Sequence, residues 1–246
     1  MHNIITSLAE KHSLTRAEVM TEIEDVFAAQ LSQWYRLPVM AFFRDDLRLE
    51  AVIYNDTGGV VMQRLVDLSE IKGRGVLKKQ LEVKLTKAAV LKQTARYKFY
   101  EKGLLWGEIT ACDPAQNLYV ETEVIPGVRV TAICPANRIG IHERHSGSFV
   151  IGSKRAFHLR RVEPVFLHGT PRLNVVVDRV SKTLVETLLR SQLEPDAAGV
   201  TIRCLKRYVG QKSLVLATKT LPKAAIIAVD RELRERVQVQ IVTTLP

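Results

Sequence analysis

The chain has 246 residues, of which 46% are hydrophobic and 25% charged, and its formal net charge at pH 7 is +10. These values are typical of a globular protein with one large domain or two to three small ones. No apolar segment approaches the roughly eighteen residues of a membrane-spanning helix, so helical membrane proteins are excluded from the expected classes. The positive charge favours a polyanionic partner, and nucleic acid is expected ahead of an anionic membrane surface. The alternative is a surface that is merely rich in solvated lysines, which has the same net charge.

Cysteine use and the N-terminal segment indicate the compartment. Cys112, Cys134 and Cys204 are far apart and form no C-x-x-C pair, which agrees with a reducing environment. The first residues, MHNIITSLAEKHS, lack the basic start and apolar stretch of a secretory signal peptide. We therefore expect a cytoplasmic protein with no membrane partner.

The first clear element is a helix over 13–35. Thr15 and Glu18 have the spacing of a capping box, in which each side chain satisfies a free amide at the helix start. An apolar stripe with helical spacing follows, and we expect it to be core: Val19, Ile23, Val26, Phe27, Leu31 and Trp34. A docking face for a partner is the alternative for this stripe, and Pro38 ends the pattern.

Three extended stretches follow this helix. FFRDDLRLEAV predicts a hairpin that turns at Asp45 and Asp46, and NDTGG predicts a second turn before VVMQRLVDL. We expect the helix to pack on this small sheet.

The chain is strongly basic from Lys72 to Lys102. Ten cations face only Glu82 and Glu101 there: Lys72, Arg74, Lys78, Lys79, Lys84, Lys87, Lys92, Arg96, Lys98 and Lys102. Thr86 is a candidate cap for a helix with the sequence KAAVLKQTARYKFYEK. A charge run is usually a solvated face, but this excess of cations also suits a surface that faces phosphates.

Five short β-like runs fill the next part of the chain. They are LLWGEITACD, NLYVETEV, VRVTAICP, RAFHLRRVEP and LNVVVDRV, separated by turn residues. Five strands in so short a length predict a small closed barrel of the OB type. Such barrels bind single-stranded nucleic acid across strands 2 and 3 and their flanking loops.

The stretch RIGIHERHSG, 138–147, superficially resembles a zinc-protease motif. His142 and His145 are three residues apart, whereas the H-E-x-x-H pattern needs histidines four apart on one helix face. Gly140 and Gly147 flank the segment, so we expect a polar loop rather than a sustained helix. We predict no metal site there.

The last segment predicts the order helix, strand, strand, helix, strand. The first helix covers 181–193, and two strands follow with a turn at Gly210 and Gln211. Pro222 then stands at the start of the second helix, where its missing amide costs nothing, and VQVQIV is the final strand.

The whole chain resembles the bacterial transcription elongation and termination factor NusA in the order and spacing of these elements. LTRAEVMTEIEDVFAAQLSQWY is similar to the family's first long helix, and GEITACDPAQNLYVET to the opening of its S1 barrel. NRIGIHERHSGSFVIGSKR is similar to the segment that enters barrel strand 4, and VDRVSKTLVETLLRSQLEPD to the barrel's last strand with the first KH helix.

The resemblance implies an α+β multidomain protein. It comprises a polymerase-binding N-terminal domain with a helix and a sheet, 1–102, a five-stranded OB-type S1 barrel, 103–179, and an αββαβ KH-like domain of type II, 180–246. The family has two KH domains, whereas this chain ends after one. KH domains also clamp the RNA backbone with a G-x-x-G loop, and this chain has no glycine from Leu221 onward. We therefore expect a KH-like domain without that grip.

The implied function is binding of RNA polymerase near the RNA exit channel together with contact to nascent single-stranded RNA. Cations neutralise phosphates and exposed aromatics stack bases. The candidate RNA-binding residues in the barrel are Tyr119, Arg129, Arg144, Lys154, Arg155, His158, Arg160 and Arg161. Lys92, Arg96 and Lys98 are further candidates in the basic stretch, while Trp106 and Phe157 are either stacking residues or core.

Two other classes of function are a protein-interaction module and an enzyme. The chain is alternatively a protein-interaction module without RNA binding, for example a mobile-element accessory protein that competes with the host's full-length factor. An enzyme is not expected, because the sequence has no nucleotide-binding glycine loop, paired carboxylates, nucleophile turn or metal cluster. We accordingly expect no cofactor, no catalytic residue and no small-molecule substrate.

Overall fold

The computed structural model describes residues 2–67, 73–144, 147, 149–193 and 199–243. Within them, six α-helices and three sheets make a mixed α+β structure. The chain divides into two units, one of residues 1–93 with 164–172 and the other of residues 94–163 with 173–246. No helix in the described ranges has both the length and the apolarity needed to cross a bilayer.

The first unit begins with two helices, α1 (His2–His12) and α2 (Arg16–Tyr35). The predicted capping box is confirmed: the Glu18 amide donates to the Thr15 hydroxyl at 3.2 Å, and the Thr15 amide donates to the Glu18 carboxylate at 2.6 Å. Sequence patterns did not indicate α1, whose Ile5 and Ala9 are buried against α2. Tertiary contact stabilises this helix, since its 11 residues are fewer than an isolated helix needs to be stable in water.

Strands β1 (Val39–Phe43), β2 (Leu49–Tyr54) and β3 (Val60–Leu65) form an antiparallel sheet in that order. Both predicted turns are confirmed between these strands. In the second turn the Asn55 side-chain oxygen accepts from the amides of Thr57 and Gly59, at 3.1 and 2.6 Å. The central strand β2 is buried, whereas every residue of β3 is exposed.

The basic stretch forms one long helix, α3 (Arg74–Lys98). The prediction that Thr86 caps a helix is wrong, since Thr86 lies mid-helix and its hydroxyl donates to the Glu82 carbonyl at 2.7 Å. Leu77, Leu81 and Leu85 explain the earlier start, because their spacing of four extends the apolar face upstream toward the α2 core.

Five strands form a closed barrel, which belongs to the second unit apart from residues 164–167 and 170–172. Its strands are β4 (Leu104–Cys112), β5 (Leu118–Ile125), β6 (Val128–Cys134), β7 (Lys154–Leu167) and β8 (Thr170–Asp178). All five predicted strands are therefore present. They pair in the order β4-β5-β6-β8-β7, with β7 returning to β4 and with β6 parallel to β8. Alternate residues fill the interior, including Ile109, Val120 and Phe157.

The rest of the second unit has the predicted order of five elements. They are α5 (Lys182–Ser191), β9 (Ile202–Tyr208), β10 (Lys212–Ala217), α6 (Lys223–Leu233) and β11 (Arg236–Ile241). The strand β10 is central, antiparallel to β9 and parallel to β11. Both helices pack on one face of this sheet through Leu188, Val215 and Val229 among others.

Candidate nucleic-acid interface

Residues 141–144 of the stretch RIGIHERHSG link the barrel to the segment that follows it. They form the one-turn helix α4 (Ile141–Arg144), which differs from the expected loop, and Glu143 within it is 2% exposed. The Glu143 carboxylate accepts from Arg179 Nε at 3.0 and 3.1 Å. Arg179 also donates to the Glu232 carboxylate and to its backbone carbonyl, both at 2.9 Å. This ion-pair cluster ties the barrel to α6.

Arg179 is charged although it is completely buried. Burial acts to lower the pKa of the guanidinium, but the carboxylates of Glu143 and Glu232 outweigh this effect and raise it. The aromatic rings of Phe149 and Phe157 lie 5.5 and 5.6 Å from the guanidinium carbon, close enough for cation–π contact.

His142 makes a second link in the same place. Its Nε2 lies 3.1 Å from the carbonyl oxygen of Leu233, at the end of α6. A Cβ added at Gly210 meets the His142 ring at 2.5 Å, so the β9–β10 turn approaches the ring closely only because it carries glycine. His142 and the RNA candidate Arg144 are half-buried in this segment, and His145 lies outside the described residues.

His158 is not on the surface, because it is 6% exposed and its Nδ1 faces the Asp178 carboxylate at 3.3 Å. Arg160, another RNA candidate, lies 3.5 Å from the same carboxylate. Burial raises the pKa of Asp178, but hydrogen bonds from His158 and the Ser181 amide outweigh it and lower the pKa below 3.8. Both RNA candidates therefore contact a buried carboxylate, and His158 is inaccessible to RNA.

The barrel wall carries a hollow of about 330 Å³ with both signs of charge. Its lining residues are Trp106, Glu108, Glu121, Thr122, Glu123, Arg129 and Lys154. Arg129 is exposed and lies 3.6 Å from Glu121 and 3.9 Å from Glu123. Trp106 is 41% exposed beside the solvated Lys154. This wall is a mixed-charge surface with one available aromatic ring, and not a positive patch.

The remaining barrel candidates do not join into one surface. Arg155 is half-buried at 3.6 Å from Glu232, and Arg161 pairs with Glu163 at 3.1 Å. Tyr119 is half-buried on β5, and the alternative of a stacking role for Phe157 is wrong, because its ring is fully buried in the barrel core. Because they are buried or paired with a carboxylate, several of the predicted residues are not available to bind RNA.

Acidic residues neutralise part of α3. Lys92 donates to Glu18 at 2.7 Å, and this bond together with those from Thr15 lowers the pKa of the Glu18 carboxyl to about 2. Arg96 and Lys98 are exposed and have no carboxylate within ion-pair distance among the described residues. Lys72, also counted in the basic stretch, lies outside the described residues. Arg96 and Lys98 therefore keep their charge available to a partner.

The segment between β10 and β11 is fully described and contains one helix, α6, directly after Pro222. A phosphate-gripping loop between two helices has no counterpart there. Contact between this part of the chain and RNA therefore requires another surface.

The outer face of the sheet β9–β11 carries a group of exposed residues that the sequence alone did not indicate. Lys206, Tyr208, Lys212 and Arg236 are exposed on that face. The alternation of apolar and charged residues at the start of IRCLKRY was the available signal, but the register that groups the exposed residues is a property of the folded sheet.

No protein-family model matches the chain, and no curated protein matches it either. Its function therefore has to be inferred from its own residues and their geometry.

Proposed function

We propose that the chain is a NusA-like transcription factor that binds RNA polymerase near the RNA exit channel and contacts nascent RNA, modulating pausing, termination or antitermination. The observation that carries the proposal is the order of three elements along the chain. A helix-and-sheet unit comes first, a five-stranded closed barrel second and an αββαβ segment third. Under the proposal the barrel is of the S1 type within the OB class, and the αββαβ segment is a degenerate KH-like domain of type II.

The barrel supplies one RNA contact in this proposal. OB-type barrels bind oligonucleotides on the face of strands 2 and 3, which correspond to β5 and β6. The hollow extends over these two strands through Glu123 and Arg129, and it also includes Trp106 of β4 and Lys154 of β7. The exposed indole stacks one base, and the two cations contact flanking phosphates.

The first unit supplies the protein contact. Strand β3 exposes four apolar side chains on an edge strand: Val60 at 61%, Val61 at 56%, Met62 at 46% and Leu65 at 41%. Edge strands with exposed apolar residues are sites of protein association. This surface suits docking on a large protein such as the polymerase.

A capture experiment tests the polymerase contact. Immobilised RNA polymerase core is expected to retain the full chain, and the double variant Val61→Ser with Met62→Ser is expected to lose most of this binding. Val128→Ser is the matched control, because Val128 is 41% exposed in the second unit. If the wild-type chain passes through without retention, the proposed function is wrong.

A specific observation favours a second candidate, the protein-interaction module without RNA binding. Arg129 is flanked by Glu121 and Glu123, and α6 has no glycine loop before it. Fluorescence anisotropy with labelled single-stranded RNA distinguishes the candidates. Polymerase capture without any RNA binding supports the second candidate, and binding of both supports the first.

A further inference from the structure

The sheet β9–β11 has one covered face and one open face. The side that includes Ile202, Cys204, Val215, Ala217 and Val237 belongs to the core beneath α5 and α6. Because side chains alternate along a strand, the residues between these point the other way. The strand register therefore determines which residues lie side by side on the open face.

Three cross-strand rows make up this open face, which we call the basic sheet face. They are Tyr208–Lys212–Arg236, Lys206–Leu214–Gln238 and Arg203–Leu216–Gln240. The rows contain four cations, one aromatic ring, two amides and two leucines, of which Leu216 is buried, and no carboxylate.

The charges of this face are uncompensated at its centre. Lys206, Lys212 and Arg236 are exposed, and none has a carboxylate within ion-pair distance in the described part of the chain. The neighbouring Arg207 points to the covered side, where it pairs with Glu235 at 2.8 Å. On β9, therefore, Arg207 is paired with a carboxylate on the covered side, whereas Lys206 is solvated on the open side.

We propose that the basic sheet face binds single-stranded RNA, with Lys206, Lys212 and Arg236 on phosphates and Tyr208 stacked on a base. The inference rests on the proposed function for the identity of its partner, and on the sheet alone for the site. In this proposal the basic sheet face contacts RNA in place of the glycine loop that the segment lacks.

The composition of the face favours RNA over other polyanions. A three-stranded sheet with about six residues per strand offers roughly 10 by 20 Å, enough for a few nucleotides. Sheet faces with an exposed aromatic ring are a known platform on which RNA bases stack. Tyr208 is 46% exposed beside Lys212, and Gln238 and Gln240 supply amides that both donate to and accept from base edges. A purely electrostatic surface for an acidic protein or a membrane needs no such groups.

Anisotropy of a labelled single-stranded RNA with the full chain, measured across a salt series, tests the site. The triple variant Lys206→Gln, Lys212→Gln and Arg236→Gln is expected to raise Kd at least about tenfold. It also makes the slope of log K against log salt shallower by about 2, since each phosphate contact contributes about 0.7. Tyr208→Leu is expected to raise Kd about tenfold with the slope unchanged, because stacking is not ionic.

A matched triple variant controls for net charge. Arg190→Gln, Lys223→Gln and Arg231→Gln remove the same charge from exposed positions of α5 and α6, on the helical side of the sheet. This variant is expected to bind RNA within about threefold of wild type, since only diffuse electrostatics change. Equal losses in both triple variants overturn the assignment to the sheet face.

Other outcomes separate this inference from the proposed function. If Trp106→Leu with Lys154→Gln abolishes RNA binding while the sheet variants bind normally, the sheet-face site is wrong and the barrel contact stands. Binding of poly-glutamate or of phosphatidylserine vesicles as tight as that of RNA, insensitive to Tyr208→Leu, overturns RNA as the ligand. If the wild-type chain binds no RNA, the inference fails, and polymerase capture then decides the rest of the proposed function.

Discussion

Replacing Arg179 with Met tests whether the buried ion-pair cluster stabilises the second unit. The Arg179 side chain is 1% exposed and the Glu143 side chain 2%, so the substitution leaves the Glu143 carboxylate without its cation in a site that water does not reach. Glu232 is affected less, since Arg155 lies 3.6 Å from it and the Ala156 amide donates to it at 2.9 Å. Most of the cost therefore arises at Glu143.

Breaking a buried pair by removing one partner costs about 3–5 kcal/mol. With a urea dependence of roughly 2 kcal/mol/M, the unfolding midpoint is expected to fall by about 1.5–2.5 M. Trp106 is the probe for the second unit, measured by its fluorescence in a Trp34→Phe background, because the chain has only two tryptophans. Both the variant and its reference carry this background.

Two comparisons make the result interpretable. Arg161→Met removes an exposed arginine, 58% exposed and 3.1 Å from Glu163, and is expected to cost at most about 1 kcal/mol. Adding Glu143→Gln to Arg179→Met is expected to recover at least about 1 kcal/mol, because it removes the buried charge that Arg179 had paired with. A midpoint shift no larger than that of Arg161→Met would refute the reasoning.

The remaining predictions concern pH and a glycine. The lowered pKa of Asp178 means that its contribution is present above the ordinary value of 3.8 and is lost as pH falls through the folded-state pKa. Asp178→Asn is therefore expected to lower the unfolding midpoint at neutral pH and to differ progressively less from wild type as the pH falls below the ordinary value of 3.8. A difference that stays constant as far into the acid range as the protein can be followed contradicts this. Gly210→Ala is expected to cost more than Gly127→Ala in thermal unfolding. Both glycines have positive φ, +79° and +78°, which alone costs about 1–2 kcal/mol, but only Gly210 has the His142 ring within 4 Å. Equal costs for the two variants indicate that the ring moves aside.

Local sequence patterns predicted much of the fold. The capping box at Thr15, the two turns of the first sheet, the five barrel strands and the αββαβ order all depend on residues close together in the chain. The start of α3 was misplaced because Thr86 has a cap-like side chain, while the leucines upstream continue the same apolar face. The helix α1 was missed because its burial against α2 is a tertiary contact.

The sequence by itself determined the kinds of side chain available: an excess of cations, few aromatics, and no glycine after Gly210. Only the tertiary structure decided which cations are paired with carboxylates and which are exposed to a partner. Arg179 meets Glu143 across 36 residues, and His158 meets Asp178 across 20, whereas Lys206 and Arg236 are brought onto one open face. An ion pair depends on a distance of a few ångströms between atoms, and no pattern of neighbouring residues encodes that distance when the partners belong to separate elements.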